Sequence, residues 1–424
     1  MDPAEFIDPN LTGPDLLVLK QLLNDAQQSH HQPTETSLRR RQKDEARPVD
    51  GVIEKLTALN DPQDPTFEAT VFVTWDTKDW QKYPFLDKWI LQPYIRLARQ
   101  VVRVDTDVVM LTHLLLYFAT SVPSAILLFR QFHWAHGILH WIMQSYYVGT
   151  YTLMMHQHIH MGGILKKRFR WFDELFPYIT NPLMGHTWNS YFYHHVKHHH
   201  VEGNGPEDLS STIRYQRDDL GDFLCYVGRF FFLVWLELPL YFFRKGKINF
   251  ALKAAAWEIG NYAVLFLLWR YVAWRATLCV FLLPLMQLRV GLMVGNWGQH
   301  AFVDEVDPNS DFRSSITLID VASNRFCYND GYHTSHHLNP LRHWREHPVS
   351  LLRQKDRYAA EHALIFRNID YIMITVRLLR KDYQHLAKCL VPIGDQIGMT
   401  LEEIAEMLRR KTRRFSEDDV KAKF

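Results

Sequence analysis

Cysteine is scarce in this chain. Only Cys225, Cys279, Cys327 and Cys389 occur in 424 residues, and no two form a C-x-x-C pair. That excludes zinc ribbons, iron–sulfur clusters and a disulfide-stapled secreted domain. An excess of one charge is missing too: 48 Lys and Arg face 46 Asp and Glu, a formal net charge of +2. Bulk electrostatics therefore give no reason to expect a nucleic-acid partner. The first thirty residues carry several acids and no long apolar core, so no secretory signal peptide is expected, and membrane entry has to come from an internal segment. A mean hydropathy of −0.21 is too polar for a chain wholly in lipid. Yet aromatics make up 14% and tryptophans number 13, which points to a protein part in membrane and part in water.

The apolar residues are concentrated in runs. Val108 to Phe129 is uncharged, and so is Trp134 to Met155, each 22 residues long. At about 1.5 Å per residue either run crosses a hydrocarbon core of roughly 30 Å, and the short link Arg130 to His133 makes the two a hairpin. Ala254 to Trp274 and Ala276 to Gly298 read as a second hairpin despite Glu258, Arg270 and Arg289. Phe223 to Phe243 contains Arg229 and Glu237 and is expected to lie at the interface. Lys166 to Arg170, a basic run after the first hairpin, favours the cytoplasmic side.

The remaining segments divide the chain further. Residues 1–65 are polar, with the basic run Arg39 to Lys43, and are expected to be a flexible arm; within them Leu16 to Leu23 has the leucines for a short amphipathic helix, and Asn10 opens a weak glycosylation sequon. Residues 66–105 mix aromatic and basic side chains as a pre-membrane interfacial segment does. Residues 106–345 form the membrane domain. Residues 346–424 have mixed charge with helical apolar spacing, as in Leu390 to Leu408, and suggest a cytosolic helical region. The expected fold is all-α and integral to the membrane, with four transmembrane helices in two hairpins and a cytosolic helical cap.

Histidine is what the sequence has in excess. HQHIH covers His156 to His160, HHVKHHH covers His194 to His200, and HTSHH covers His333 to His337. On a helix of 3.6 residues per turn His156 and His160 share a face while His158 points away. The second cluster can be parsed as His195, His199 and His200, or as His195, His198 and His199. His333, His336 and His337 form one stripe. Asn296 and His300, four apart, close the last apolar run. Nine histidines result: His156, His160, His195, His199, His200, His300, His333, His336 and His337. That is too many for one four-coordinate zinc and enough for two metals with open positions. With thiolates absent, neutral imidazoles favour a first-row metal such as iron. His113, His136 and His140 belong to no dense cluster and are expected to be hydrogen-bonded structural residues.

In order and spacing, HQHIH after one hairpin, HHVKHHH before the next and NDGYHTSHH after it resemble the three histidine boxes of the membrane fatty acid desaturase and hydroxylase family. The resemblance spans roughly residues 105 to 345. It implies a non-haem di-iron centre on the cytosolic side of a four-span domain, with the nine histidines as ligands and Asn296 holding a water near one iron. His158, His194, His198, Glu202, Asp208, Asp304 and Asp330 are candidates to orient those ligands from behind; for the carboxylates, turn and capping roles compete. Arg214, Arg217, Lys166 and Lys167 are candidates for an acyl-CoA or headgroup phosphate, and Trp188, Tyr191, Phe192 and Tyr193 for the wall of an acyl tunnel.

The implied reaction is oxidative: with O2 as co-substrate, hydrogen leaves an unactivated C–H bond of a lipid or acyl-CoA. A second hydrogen loss gives an alkene, the outcome expected here, while oxygen insertion gives an alcohol, the closest rival. The HPGG signature of a fused cytochrome b5 is absent, so electrons are expected from a separate cytochrome b5 and its reductase, or from a ferredoxin. Residence in the endoplasmic reticulum is implied by the family. A histidine-rich zinc transporter or store is the reading from another class; it would place acids or histidines along a path within the spans.

Overall fold

Length and apolar composition decide the longest helices. The computed structural model describes residues 6–7, 11–30, 48–73, 75–76, 80, 82–319 and 322–424. Among them four helices are long and apolar enough to cross a membrane: Val108–Arg130, Leu220–Arg244, Ile248–Val272 and Trp274–Gln299. The all-α membrane architecture is as expected, but the identity of the four differs. Trp134–Met161 is 28 residues long, yet His136, His140, Gln144, Ser145 and Gln157 make it too polar to count among them. Leu220–Arg244 counts by its length and apolar composition, and the charges that argued against it, Arg229 and Glu237, pair with each other at 3.1 Å.

By mutual contact the chain forms two compact units, each assembled from distant segments. The first comprises Met1–Glu68, Thr212–Phe223 and Trp297–Phe424; the second comprises Ala69–Ser211 and Leu224–Asn296.

In the second unit, polar side chains tie apolar helices together. Ser121 Oγ donates to Gln144 Oε1 at 3.0 Å, linking the helices Val108–Arg130 and Trp134–Met161. The isolated histidines are hydrogen-bonded: His113 Nε2 accepts from the Val73 N–H at 3.3 Å, and His136 and His140 each lie 2.8 Å from Ser124 Oγ. Glu258 and Arg289, which weakened the reading of the second hairpin, form a buried ion pair at 2.6 Å. Thr187 and Tyr262 also donate to the Glu258 carboxylate, at 2.6 and 2.7 Å. A buried charge this well partnered is tolerable in a span. The chain leaves the first histidine cluster through Gly162 and Gly163, at φ +66° and +114°. A Cβ on Gly163 would stand 2.0 Å from Asp173 Oδ2, the carboxylate that accepts from the Ile164 and Leu165 N–H groups. Only glycine fits there. In the stretch expected at a membrane interface, Tyr83, Phe85, Trp89 and Ile90 are exposed, beside a short antiparallel strand pair, Thr70–Phe72 with Trp75–Asp76.

In the first unit, described stretches of the expected flexible arm are helical and packed. Gly13–His30 and Pro48–Ala58 are helices, and Val18, Leu19, Leu22 and Leu56 pack in one core with Ile319, Tyr332, Leu351 and Ile365. The leucines of the amphipathic pattern thus meet protein. Asn10 and Arg39–Lys43 lie outside the described residues. Two strands, Ile316–Ile319 and Leu364–Arg367, pair in parallel and were not expected. The single helical stretch read over Leu390 to Leu408 is broken by Pro392, Gly394 and Gly398; the helix begins at Leu401, where Thr400 and Glu403 form a reciprocal capping box.

Candidate metal centre

Two helical segments of the second unit carry the first and second histidine clusters. His156 and His160 stand one turn apart on Trp134–Met161, with ring centroids 4.7 Å apart. The second cluster lies on a π-helical segment, Phe192–His199, that runs into His200–Glu202. Its wider turn brings residues five apart together: His195 Nε2 and His200 Nε2 are 3.1 Å from each other. Such π-turns recur at functional sites. One ring nitrogen from each of His156, His160, His195 and His200 lies within 4.8 Å of all the others. Imidazoles bind a first-row ion at about 2.1 Å, which holds pairs of nitrogens at most about 4 Å apart, so a small contraction suffices. Burial first, and then the neighbouring His200, His156, His160 and His199, hold His195 well below the ordinary histidine range. It is therefore a neutral imidazole with a lone pair to offer. Tyr191 stacks on it, centroids 5.2 Å apart.

His199 lies beside this group, its ring stacked 5.6 Å from His195, and its Nδ1 is 2.7 Å from Asp208 Oδ2. Asp208 is held in turn by the Ser210 N–H and hydroxyl, at 2.8 and 2.7 Å. A carboxylate behind one ring nitrogen fixes the tautomer and leaves the other nitrogen for a metal. Burial alone would raise the Asp208 carboxyl, but His199 and His198 overcome it and hold the group well below the usual carboxylate range.

The surplus histidines are occupied otherwise. His198 Nε2 accepts from the Leu209 N–H at 2.9 Å, and its ring lies 4.1 Å from that of Tyr241. Of the two parses of this cluster, the geometry sets His200 rather than His198 against His195. His194 packs on Phe230 at 5.0 Å. His158 points away from His156, its Nε2 3.0 Å from the Asp173 carbonyl. Glu202 accepts from Tyr241 and pairs with Lys245 at 3.2 Å. Asn296 donates through Nδ2 to the Ser210 carbonyl at 2.8 Å and to Tyr226 Oη at 2.7 Å.

The first unit carries the other set. His333, His336 and His337 lie on the short helix His333–Leu338. His333 Nε2 is 3.2 Å from His300 Nε2, and the His337 ring lies 5.0 Å from that of His300. Asp311 Oδ1, not foreseen from sequence, stands 3.3 Å from His337 Nδ1. His336 packs near His347, which is buried, 3.0 Å from Ser335 Oγ, and pushed down to about 3 by that burial. Asp330, which burial pushes up to about 7, accepts from Gln299 at 3.3 Å. Asp304 pairs with Lys411 at 2.5 Å.

A further support was invisible in the sequence. Asp15, on the N-terminal helix, accepts from Tyr332 Oη at 2.6 Å and from Asn324 Nδ2 at 3.1 Å. Asn324 Oδ1 accepts from the Gly331 N–H at 2.9 Å. The loop entering the third cluster is thus fixed by a carboxylate 317 residues upstream of Tyr332. Only the types of the partners, Asp and Tyr, gave any signal.

Three of the four expected phosphate-binding cations, Arg217, Arg214 and Lys166, are engaged elsewhere. Arg217 is fully buried and donates to the carbonyls of Ala301, Lys411 and Arg413 at 3.0, 3.0 and 2.6 Å. Arg214 pairs with Glu417 at 2.8 Å, and Lys166 donates to the Arg99 carbonyl at 2.6 Å. Both histidine sets supply nitrogen donors without thiolates, a combination that suits a first-row metal.

A family model described as fatty acid desaturase matches residues 132–354, more than half of the chain. No curated protein and no solved structure matches it. The matched stretch begins just before the helix bearing the first histidine cluster and ends beyond the third; the chain belongs to the fatty acid desaturase family.

Proposed function

We propose that the protein is an O2-dependent acyl-chain desaturase whose nine box histidines hold two irons. Family membership makes it an oxidoreductase of the fatty acid desaturase and hydroxylase type; the desaturation outcome, the iron count and the donor are this proposal. The observation that carries it is the group His156, His160, His195 and His200, whose four donor nitrogens converge with no thiolate or carboxylate among the four. Iron, when bound, supplies the oxygen activation needed to break an unactivated C–H bond.

The chain's own residues prepare that chemistry. Burial keeps His195 neutral, and Asp208 fixes the ring of His199 from behind. Asn296, the expected holder of a water, has its amide nitrogen committed to Ser210 and Tyr226, so the amide oxygen is the atom left for that water. The balanced reaction takes –CH2–CH2–, O2, two electrons and two protons to –CH=CH– and two waters. The electrons come from a separate cytochrome b5 with its reductase, or from a ferredoxin. The basic residues at Lys166 to Arg170 support a cytosolic site, in the endoplasmic reticulum membrane.

The test is the mass of the product made by iron-loaded protein from an acyl-CoA or phospholipid, with reductant and dioxygen. A product two hydrogens lighter supports the proposal; one oxygen heavier makes the protein a hydroxylase. Zinc uptake without oxygen-dependent turnover would favour the transporter. His336→Ala is expected to lose iron and activity while still inserting in the membrane.

A further inference from the structure

The second unit contains a cavity of about 510 Å³, within the range of small-molecule and lipid sites. Val122 and Phe129, Leu183, Leu265 and Phe281 give it apolar walls. Ile126 and Val264, also in the lining, are exposed on the outer surface of apolar helices, so the cavity opens where lipid would lie.

Two features distinguish it from a packing defect. The first is Asn261, only 3% exposed and in the cavity lining. Among the described residues its side-chain amide has no hydrogen-bond partner. A buried amide is normally bonded, and an unbonded one in an apolar wall points to a ligand atom as the partner. The second is Trp188, whose backbone stands at φ +30°, where a side-chain-bearing residue is strained. The strain is held from both sides. Asn181 Nδ2 donates to the Trp188 carbonyl at 2.7 Å, and the preceding Thr187 donates to Glu258 at 2.6 Å. The indole is thereby fixed as a flat wall beside the helix that carries Asn261. A Cβ at Gly260 would stand 3.4 Å from it.

The amide of Asn261 is uncharged and offers both donors and an acceptor. It matches a neutral hydrogen-bonding group better than a carboxylate or phosphate, and the charged member of the lining, Arg130, is exposed. We propose that this cavity binds a long-chain lipid bearing an uncharged hydrogen-bonding group, a hydroxyl being the simplest, which pairs with Asn261 while the chain lies along Trp188. The inference goes beyond the proposed reaction and does not depend on the metal.

The experiment uses the full chain in bilayer nanodiscs, with a chain-brominated hexadecanol as quencher of tryptophan fluorescence. Saturable quenching that disappears in Trp188→Phe is expected. Unlabelled hexadecanol should reverse it about tenfold better than hexadecane at equal mole fraction in the lipid, the discrimination of about one buried hydrogen bond. Asn261→Leu, which replaces a buried amide by an apolar side chain of similar size, should keep the quenching and lose the preference. Equal competition by hexadecane in the unaltered protein overturns the proposal. So does an unchanged preference in Asn261→Leu, or saturable quenching that survives in Trp188→Phe. None of these readouts requires iron or turnover, so a failed reaction leaves them standing.

Discussion

His200 Nε2 lies 3.1 Å from His195 Nε2, five residues away along a π-helical turn. An α-helix would set His195 against His199 instead, so the local backbone decides which imidazoles of HHVKHHH converge with His156 and His160. Deleting Lys197 to force a shorter register is expected to scatter the group and abolish tight metal binding. Equilibrium dialysis against ferrous iron measures it.

Asp208 supports His199 without a place among the converging nitrogens. Asp208→Asn keeps the shape and removes the charge behind His199 Nδ1. Iron affinity is expected to fall about 10- to 100-fold, with helix content by circular dichroism unchanged.

The buried pair Glu258 and Arg289 gives a stability prediction. Glu258→Leu strands the guanidinium and should cost about 3–5 kcal/mol. Changing Arg289→Leu as well should recover most of it. Thermal unfolding of the single and double variants in detergent reads both values.

Much of this was legible in the sequence, and what was not has identifiable causes. The apolar runs and three histidine clusters are local patterns, and the helices formed where those patterns lie. Arg229 and Glu237 argued against a span, and Glu258 and Arg289 weakened one, because the pairing of charges 8 and 31 residues apart is not visible in the sequence. The N-terminal arm looked solvated because Asp15 meets Tyr332 and Asn324 only in the folded chain. Composition cannot reveal a π-turn, so spacing alone allowed either His198 or His200, and it is the backbone that stands His200 against His195.

Asp15 itself is a test of that long-range support. Asp15→Ala leaves the Tyr332 hydroxyl and an Asn324 N–H without their acceptor in a buried place. It should cost about 2–4 kcal/mol, read as a lower unfolding temperature of the full chain.

Acid should weaken the fold. His186 and His347 are both held down to about 3, chiefly by burial, against about 6.5 when unfolded. Their folded values are depressed, so the unfolded chain takes up protons first as pH falls. Stability is full above about pH 6.5 and declines toward pH 3, by about 1.4 kcal/mol per pH unit for each group. Unfolding of metal-free protein between pH 7 and 5 should show at least this slope, reduced by one proton in His347→Asn.

The central claim is that the histidines form a two-iron centre. Elemental analysis of the purified protein beside His195→Ala tests it most directly. About two irons per chain are predicted, falling to about one or fewer in the variant. An iron-free protein that takes up zinc, or a His195→Ala variant that keeps the full iron content, would contradict it.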